Sequence, residues 1–289
     1  MLYLGEVKRL KFTKMHGIGN DYIYFDCTNE ELANPEQVAI ELSDRHFGVG
    51  GDGIVLICKS DVADFRMRMF NIDGSEGKMC GNASRCIGKY VYDRGLTNKT
   101  TVTLETLCGI KVLNLTLGAD GKVSSVTVDM GKAILEPEKI PVEFKGERLV
   151  GETVNIANGS HKITAVSMGN PHCVMFLDED ISELPLEKIG PSYENDPMFP
   201  ERVNTEFVNV IDNKTLRMRV WERGSGETMA CGTGACAVAV SAVENKICQH
   251  DTDITVKLLG GDLVIRYNSD GTVFMTGPAT FVFDGEVCK

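Results

Sequence analysis

The sequence lacks three features that would each point to a common class of protein. It has no Cys-x-x-Cys pair, which argues against a zinc ribbon, an iron–sulfur site or a thioredoxin-type redox centre. Its 30 lysines and arginines are outnumbered by 41 aspartates and glutamates, and a formal charge of -11 disfavours binding to nucleic acid or to an anionic membrane. No segment approaches the roughly 20 apolar residues that a membrane-spanning helix needs.

The first residues also lack the charge, apolar run and cleavage site of a signal peptide, so we expect a cytoplasmic protein. In that reducing compartment the 10 cysteines are expected to be thiols rather than disulfides. Most of them are expected to be small buried apolar residues. This expectation covers Cys27, Cys58, Cys108, Cys173, Cys248 and Cys288. The expectation does not extend to Cys80 and Cys231.

The chain repeats one order of motifs. Each half carries a Gly-Asn pair, then Gly-Ser, then Cys-Gly and one more cysteine. Cys80 follows Asn20 by 60 positions, and Cys231 follows Asn170 by 61. Chance would rarely keep that order and spacing, so we predict two pseudo-symmetric halves. A chain of 289 residues is long enough for two domains with separate cores.

Each Cys-Gly pair is predicted to open a helix. In the first half, Asn82 is a good N-cap and Gly95 supplies a stop. Apolar residues recur between them at helical spacing, at Ala83, Ile87, Tyr90 and Val91. In the second half, Ala235–Val243 is apolar on every side, which is typical of a helix buried all round.

Strand patterns surround the two helices. Thr101–Leu104 and Leu216–Val220 alternate with period two, and the Asp-Gly pairs at 120–121 and 270–271 predict hairpin turns. Each half is therefore predicted to be β-rich with a central helix, and we expect the active site in the cleft between the halves. The Pro-containing stretch Leu135–Pro141 is expected to connect the two halves.

A cysteine at a helix start suits proton transfer. The first-turn N–H groups lack partners within the helix and the dipole there is positive, so the thiol pKa can fall from about 8.5 toward 3.5–7.5. A thiolate from Cys80 or Cys231 could take an α-proton on one face of a substrate while the other thiol returns one to the opposite face. Gly81 and Gly232 would let backbone donors approach the substrate carboxylate.

Other polar residues fit an amino-acid substrate. Glu222 and Arg223 follow a predicted strand, where they either bind an ammonium and a carboxylate group or form a solvated surface pair. His172 either tunes a thiol pKa or caps a loop. Five asparagines either bind the substrate or form turns, and these are Asn20, Asn71, Asn82, Asn170 and Asn204.

The motifs together resemble those of the diaminopimelate epimerase family, which are PLP-independent isomerases of bacterial lysine and peptidoglycan biosynthesis. The matching segments extend over nearly the whole chain, at Lys14–Asp21, Phe70–Asn71 with the Cys80 segment, Ser167–His172, Pro200–Asn204, Glu222–Thr228 and Ala230–Gly234. As a set they are far more specific than any single motif.

The resemblance implies an α+β fold of two domains, each a curled sheet or barrel around a helix. The first domain would comprise residues 1–131, joined by the C-terminal segment 277–289, and the second residues 132–276. The resemblance also implies interconversion of L,L- and meso-diaminopimelate by a homodimer, with no cofactor, no metal, and neither a nucleic-acid nor a membrane partner.

The resemblance assigns a role to each candidate residue. Cys80 and Cys231 become the acid/base pair, and His172 and Glu222 the groups that adjust the thiol pKa values. The reacting carboxylate would bind at Gly81-Asn82 and Gly232-Thr233. The rest of the pocket would comprise Asn20, Asn71, Asn170, Asn204, Glu222 and Arg223.

Two positions depart from the family pattern. Ala83 stands where many members have glycine, and a methyl group in the first turn of a helix should be tolerated. Gly53 stands where some members have a pocket glutamine, so that contact would be absent or replaced by water.

Other functions stay open at this stage. The nearest alternative is a related PLP-independent racemase that acts on histidine or another single-headed amino acid. Arg223 with Asn71 and Asn204 favours a substrate charged at both ends, because unpaired donors would cost a shorter substrate affinity. A less favoured alternative is an amino-acid-binding or thiol redox-sensing protein, since two facing thiols can oxidise. A PLP enzyme is disfavoured because nothing in the sequence resembles its apparatus.

Overall fold

A computed structural model of the chain describes residues 9–288. Over that range it contains four α-helices, two short 3-10 helices and eighteen strands. The α-helices are α1 (Pro35–Ser43), α2 (Gly81–Asp93), α3 (Leu186–Glu194) and α4 (Gly232–Glu244), and the 3-10 helices span Pro137–Lys139 and Ile181–Glu183. None of the helices within residues 9–288 is long and apolar enough to cross a membrane.

The chain divides into two compact units. The first unit comprises the described residues up to Val126 together with those from Pro278 onward, and the second comprises Thr127–Gly277. The boundary between the two units lies after Val126, a few residues before the predicted boundary at Gly131. The predicted connector Leu135–Pro141 therefore lies inside the second unit.

The strands of the first unit precede and follow α2. They are β1 (Arg9–Gly17), β2 (Asn20–Cys27), β3 (Gly53–Cys58), β4 (Phe65–Asn71), β5 (Glu76–Gly77), β6 (Thr101–Thr106), β7 (Gly109–Leu117) and, at the end of the chain, β18 (Thr280–Cys288). Strand β8 (Val123–Lys132) begins in the first unit and continues into the second.

The strands of the second unit surround α4 in the sequence in the same way. They are β9 (Glu152–Ile156), β10 (Gly159–Ser167), β11 (Pro171–Phe176), β12 (Asn204–Asp212), β13 (Thr215–Glu222), β14 (Gly226–Glu227), β15 (Asp253–Leu258), β16 (Gly261–Tyr267) and β17 (Thr272–Gly277). Both predicted alternating stretches lie in strands, one in β6 and the other in β13.

The two units repeat one pairing scheme. In the first, β1 and β2 are antiparallel, β2 and β3 parallel, β3 and β4 antiparallel, and β4 and β6 parallel. In the second, β10 and β11, β11 and β12, β12 and β13, and β13 and β15 follow the same sequence of directions. Helices α1 and α3 occupy equivalent places, each before the third strand of its series. The predicted α+β fold with two pseudo-symmetric halves is confirmed.

Within each unit the sheet is open. The barrel alternative of the predicted fold is therefore wrong, whereas the curled sheet with a central helix is confirmed. Helix α4 contacts β10, β11, β12, β13, β15, β16 and β17. That enclosure explains why Ala235–Val243 carries almost no polar side chain, since every face of the helix meets sheet residues.

The start of α2 differs from the prediction by two residues. Cys80, not Asn82, is the N-cap, and it has an extended backbone with φ -133° and ψ 121°. Cys231 occupies the same place before α4, with φ -110° and ψ 106°. The predicted stop at Gly95 is confirmed, because the chain turns there with a φ of +74° just after the last helical residue.

The cysteines expected to be buried do not all lie in the interior. Cys27, Cys173 and Cys248 are buried, as predicted. Cys58 is only partly buried, and Cys108 and Cys288 are exposed, so the prediction is wrong for those three. None of the ten cysteines, all within the described range, takes part in a disulfide.

The departure at Gly53 has a backbone cause. Gly53 has a φ of +149°, a conformation that residues with a side chain rarely adopt. A Cβ atom there would lie 2.1 Å from the carbonyl oxygen of Phe70 on the neighbouring strand. Any side chain at position 53, glutamine included, would therefore require this part of the sheet to move.

We expect Gly53→Ala to destabilise the protein more than a matched change at Gly95. Gly95 also has a positive φ, but no atom lies within 4 Å of a Cβ built there. Gly95→Ala should cost about 1 kcal/mol, the conformational penalty alone. Gly53→Ala should cost at least twice as much, because the collision with Phe70 is added. Thermal unfolding followed by circular dichroism measures both losses, and equal losses would contradict the collision argument.

Candidate active site

In the first unit, the start of α2 brings the Cys80 sulfur to backbone and side-chain partners. The Ala83 N–H donates to Sγ at 3.4 Å, and the Cys80 carbonyl accepts from the Ser84 N–H and hydroxyl, both at 2.9 Å. The Cys80 thiol also donates to Asn20 Oδ1 at 3.5 Å, a contact that favours the protonated form. A first-turn N–H pointing at sulfur favours the thiolate. Ala83 is fully buried, so its methyl group is accommodated, as predicted.

Asn20 and Asn82 meet beside this sulfur. Asn82 Nδ2 donates to Asn20 Oδ1 at 3.2 Å, and Asn20 Nδ2 donates to Asp52 Oδ2 at 2.7 Å. Burial raises the pKa of Asp52, and the charge of Asp21 raises it further. We call Asn20, Cys80 and Asn82 the first half-site. Sequence reasoning did not identify Asp52, which orients Asn20.

Arg85 is a second residue that the sequence reasoning missed. Its side chain is fully buried, where Nη1 donates to Asn82 Oδ1 at 3.0 Å and Nε donates to the Pro278 carbonyl at 3.2 Å. The available signal was a charged residue on the apolar face of α2, one turn after Asn82. The guanidinium group thus fixes the amide orientation of Asn82.

The other predicted residues of this unit have separate positions. Gly81 is the first residue of α2 and is buried. Asn71 ends β4, opposite Gly53 in the ladder, and its Nδ2 donates to Ser75 Oγ at 3.0 Å. Among the contacts resolved within residues 9–288, none joins Asn71 to the first half-site.

In the second unit, Cys231 precedes α4 in the same manner. Its carbonyl accepts from the Ala235 N–H at 2.9 Å, and Sγ lies 3.6 Å from Thr233 Oγ1. Asn170 Nδ2 donates to Thr233 Oγ1 at 3.4 Å. Thr233 thus matches Asn82, and Asn170 matches Asn20. Gly232, the first residue of α4, is buried like its counterpart in α2.

His172 lies on β11 next to this group and is fully buried. Its Nε2 is 3.1 Å from Asn170 Oδ1, and its Nδ1 is 2.6 Å from Glu206 Oε1. We call Asn170, His172, Cys231 and Thr233 the second half-site. His172 does not cap a loop, because both ring nitrogens face side-chain oxygens. Glu206 was missed by sequence reasoning, although a carboxylate within the apolar β12 segment was a usable signal.

Asn204, Glu222 and Arg223 form a second group in this unit. Asn204 Oδ1 accepts from the Arg223 N–H at 2.8 Å, and its Nδ2 donates to the Pro171 carbonyl at 3.2 Å. Arg223 Nη1 donates to the Glu201 carbonyl at 2.8 Å. Glu222 accepts from the Thr228 hydroxyl and is not the solvated member of a surface pair.

Comparison with known proteins identifies the family. The family model for diaminopimelate epimerase matches residues 12–136 and 164–282. A diaminopimelate epimerase of Acetivibrio thermocellus is 59% identical over 279 residues, which cover 96% of this chain and 98% of the relative. One from Methanococcus maripaludis is 54% identical over 279 residues, covering 96% and 99%.

The chain belongs to the diaminopimelate epimerase family. It is an isomerase of the epimerase class, and the resemblance inferred from the motifs is confirmed.

Solved structures share the fold at much lower sequence identity. A Bacillus anthracis phenazine biosynthesis protein of the PhzF family has a TM-score of 0.68 and 17% identity, covering 97% of this chain and 99% of its own. A hydroxyproline epimerase from Agrobacterium vitis has a TM-score of 0.68 and 14% identity, covering 98% and 92%. These likenesses concern the fold alone.

The thiol of Cys231 has an electrostatic setting that a helix start alone does not predict. Burial raises the pKa of the Cys231 thiol well above its usual value, and the charges of Glu222 and Glu206 raise it further. The Thr233 hydroxyl and the Gly234 N–H offset part of that rise. The Cys231 side chain nevertheless accepts no capping hydrogen bond from the start of α4. In this member of the diaminopimelate epimerase family, the lowering that a helix start can produce is therefore outweighed at Cys231.

Glu222 is also held away from its ordinary titration range. Burial raises its pKa, while hydrogen bonds from the Thr228 hydroxyl and the Cys231 thiol offset part of the rise. The group binds its proton more tightly in the native state than in the unfolded chain. Its contribution to stability is then present below the unfolded pKa, near 4.5, and is lost as the pH rises through the folded pKa.

We therefore expect Glu222→Gln, which is neutral at every pH and still accepts from Thr228, to melt at a higher temperature than the wild type at pH 8. The difference should close below about pH 4.5. Glu201→Gln removes the same charge from an exposed side chain and serves as the control, with a small and pH-independent effect. A Glu222→Gln melting curve that stays below the wild type at pH 8 would refute the argument.

Proposed function

We propose that this enzyme interconverts L,L- and meso-diaminopimelate by two-base proton transfer between Cys80 and Cys231. The observation that carries the proposal is a cysteine at the N-cap of a buried helix in each unit, next to an asparagine that follows the equivalent strand. Membership of the diaminopimelate epimerase family supports the substrate.

In the proposed reaction, one sulfur is a thiolate and removes the α-proton from one face of the carbon. The other sulfur is a thiol and delivers its proton to the opposite face, which inverts the centre. Each step changes the protonation state of one cysteine, so the roles exchange in the reverse direction. No redox change and no covalent intermediate is required.

Negative charge develops on the substrate carboxylate as the α-proton leaves. First-turn N–H groups of a helix can stabilise such a charge without reorganising. We propose that those of Gly81-Asn82 and Gly232-Thr233 do so. The buried contact of Asn82 with Arg85 and the partly buried contact of Thr233 with Asn170 support this role, because they hold both side chains in place.

We propose that the remaining residues bind the far end of the substrate and adjust the thiols. Arg223 with Asn204 offers a cation next to a fixed amide, suited to a carboxylate and an ammonium group. Asn20, Asn71, Asn170 and Glu222 would complete the pocket. His172 and Glu222 would set the thiol pKa values, which the place of His172 in the second half-site and that of Glu222 next to it support.

The wider setting is part of the same proposal. We propose a cytoplasmic homodimer that needs no PLP and no metal, and that supplies a precursor of lysine and peptidoglycan. Within residues 9–288, no cluster of three or more His, Cys, Asp or Glu side chains could hold a metal ion.

We expect Cys80→Ser and Cys231→Ser each to lower the epimerisation rate by about 10²–10⁴-fold, the usual contribution of a general acid or base. Proton NMR with L,L-diaminopimelate in D2O, with chelator and without added PLP, measures formation of the deuterated meso isomer. Cys108→Ser changes an exposed thiol and should keep normal activity. Near-normal turnover by either catalytic variant would remove that cysteine from the mechanism.

The same NMR experiment separates the alternatives. If diaminopimelate stays protiated while histidine or another amino acid exchanges, the racemase chemistry stands and the substrate is wrong. If no amino acid exchanges, the two thiols serve another purpose and the proposed reaction fails.

We expect Arg223→Lys to lower kcat/KM for diaminopimelate about 10- to 100-fold, because a lysine cannot form the paired hydrogen bonds that a guanidinium makes with a carboxylate. Arg202→Lys is the matched control, since Arg202 is exposed and pairs with Glu194. Steady-state kinetics of both variants decide the point. Equal kinetics for the two variants would exclude Arg223 from substrate binding.

A further inference from the structure

Glu206 is a buried carboxylate that the proposed mechanism does not use. It lies on β12, between Thr205 and Phe207, and its side chain is fully buried. A carboxylate in the protein interior is costly unless a partner compensates it. The partner here is His172, whose Nδ1 lies 2.6 Å from Glu206 Oε1. The second oxygen of Glu206 has no hydrogen-bond partner among the described residues.

From Glu206, a chain of contacts reaches the catalytic sulfur. Glu206 Oε1 and His172 Nδ1 share a hydrogen. His172 Nε2 lies 3.1 Å from Asn170 Oδ1, and Asn170 Nδ2 donates to Thr233 Oγ1 at 3.4 Å. Thr233 Oγ1 is in turn 3.6 Å from Cys231 Sγ. The orientation of each member is thus fixed by the one before it, starting at Glu206.

Glu206 also approaches the sulfur directly, across Gly234. A Cβ atom built on Gly234 would lie 2.7 Å from Glu206 Oε1 and 3.2 Å from Cys231 Sγ. The oxygen and the sulfur are therefore at most about 6 Å apart. At that separation a buried negative charge opposes the formation of a second one. The absence of a side chain at position 234 makes this approach possible.

The fully buried charge next to the first half-site is positive, whereas the Asp52 carboxylate that contacts Asn20 there is only partly buried. There the fully buried Arg85 donates to Asn82, which is two residues after Cys80 and corresponds to Thr233. The two helix starts have similar backbone conformations, but the fully buried charged residue is Arg85 in the first and Glu206 in the second. A positive charge favours a thiolate and a negative charge favours a thiol.

We propose that Glu206 is a positioning residue of the second half-site: its buried charge keeps Cys231 in the thiol form between turnovers, and its contact with His172 fixes the chain of hydrogen bonds to Thr233. The free enzyme then holds its base at Cys80 and its acid at Cys231. The catalytic meaning of this assignment rests on the proposed function, whereas the protonation of Cys231 can be measured without a substrate.

Other groups besides Glu206 act on the Cys231 thiol. Glu222 approaches from β13, the Thr233 hydroxyl lies 3.6 Å from the sulfur, and His172, on β11, contacts Glu206 itself. Of these, Glu222 is the other carboxylate, and it acts in the same direction as Glu206. Replacing Glu206 alone should therefore shift the titration of Cys231 without abolishing it.

The experiment measures alkylation of each cysteine by iodoacetamide as a function of pH, in the whole enzyme without substrate, with peptide mass spectrometry as the readout. Only the thiolate reacts, so the midpoint of each rate profile reports ionisation independently of access. In the wild type we expect the Cys231 midpoint at a higher pH than the Cys80 midpoint. Equal or reversed midpoints would overturn the proposal.

Glu206→Gln should lower the Cys231 midpoint by about one pH unit and leave that of Cys80 unchanged. Glu206→Asp keeps the charge and should restore the wild-type midpoint. Glu244→Gln is the control, since it removes a carboxylate at the far end of α4 that pairs with Arg148. An unchanged Cys231 midpoint in Glu206→Gln, or an equal shift at both cysteines, contradicts the proposal.

Equal or reversed midpoints in the wild type overturn the proposal even if Glu206→Gln does not fold. An enzyme with separated midpoints but no activity on diaminopimelate would refute the proposed function and leave the role of Glu206 standing. An active enzyme with equal midpoints would support the proposed function and refute the role of Glu206.

Discussion

A helix that begins at a cysteine places a constraint on everything around it. The chain arrives extended at Cys80 and at Cys231 and turns into a helix at the next residue. First-turn N–H groups are available to an anion only if no side chain or neighbouring strand takes them first. The helix must also be held firmly, because proton transfer depends on the position of one sulfur atom. Burial of α2 and α4 against their sheets meets the second requirement.

Burial of the helix starts creates a second requirement, because the polar groups near them lose water. In the first unit, Arg85 and Asp52 orient Asn82 and Asn20. In the second unit, His172 and Glu206 perform the equivalent task for Asn170. The duplicated backbone thus carries different polar supports. Duplication alone would give two equal thiols, whereas two-base inversion needs one thiol and one thiolate at any moment.

The sequence predicted what depends on local patterns. Helical spacing after each Cys-Gly pair, period-two strands and the order of the repeats all have counterparts in the structure. Prediction from the sequence failed where a contact between residues distant in the chain determines the local structure. Asn82 is a good N-cap by residue type, yet its side chain is held by Asn20 and Arg85, so the cap falls at Cys80. No local sequence pattern indicates that Asn20 and Arg85 are the partners of Asn82.

The site shows the same limit in its electrostatics. A cysteine at a helix start predicts a lowered pKa, but the environment of Cys231 depends on strands distant in the sequence. Burial is the larger influence there, and Glu222 and Glu206 add to it. The helix dipole acts only within the first turn, and its effect is a fraction of a charge. A full carboxylate charge in the interior therefore outweighs it.

A raised pKa has a consequence for catalysis as well as for the resting state. A thiol that ionises reluctantly is a stronger base once it has lost its proton, which helps it to remove the weakly acidic α-proton of an amino acid. Under the proposed mechanism, each turnover that starts at Cys80 ends with the charge on Cys231, the less stable location. Proton exchange with water would then return the enzyme to its starting form. The unequal environments would thereby favour recovery of the free enzyme after a turnover that starts at Cys80. A turnover in the opposite direction would begin with a stronger base, the thiolate of Cys231.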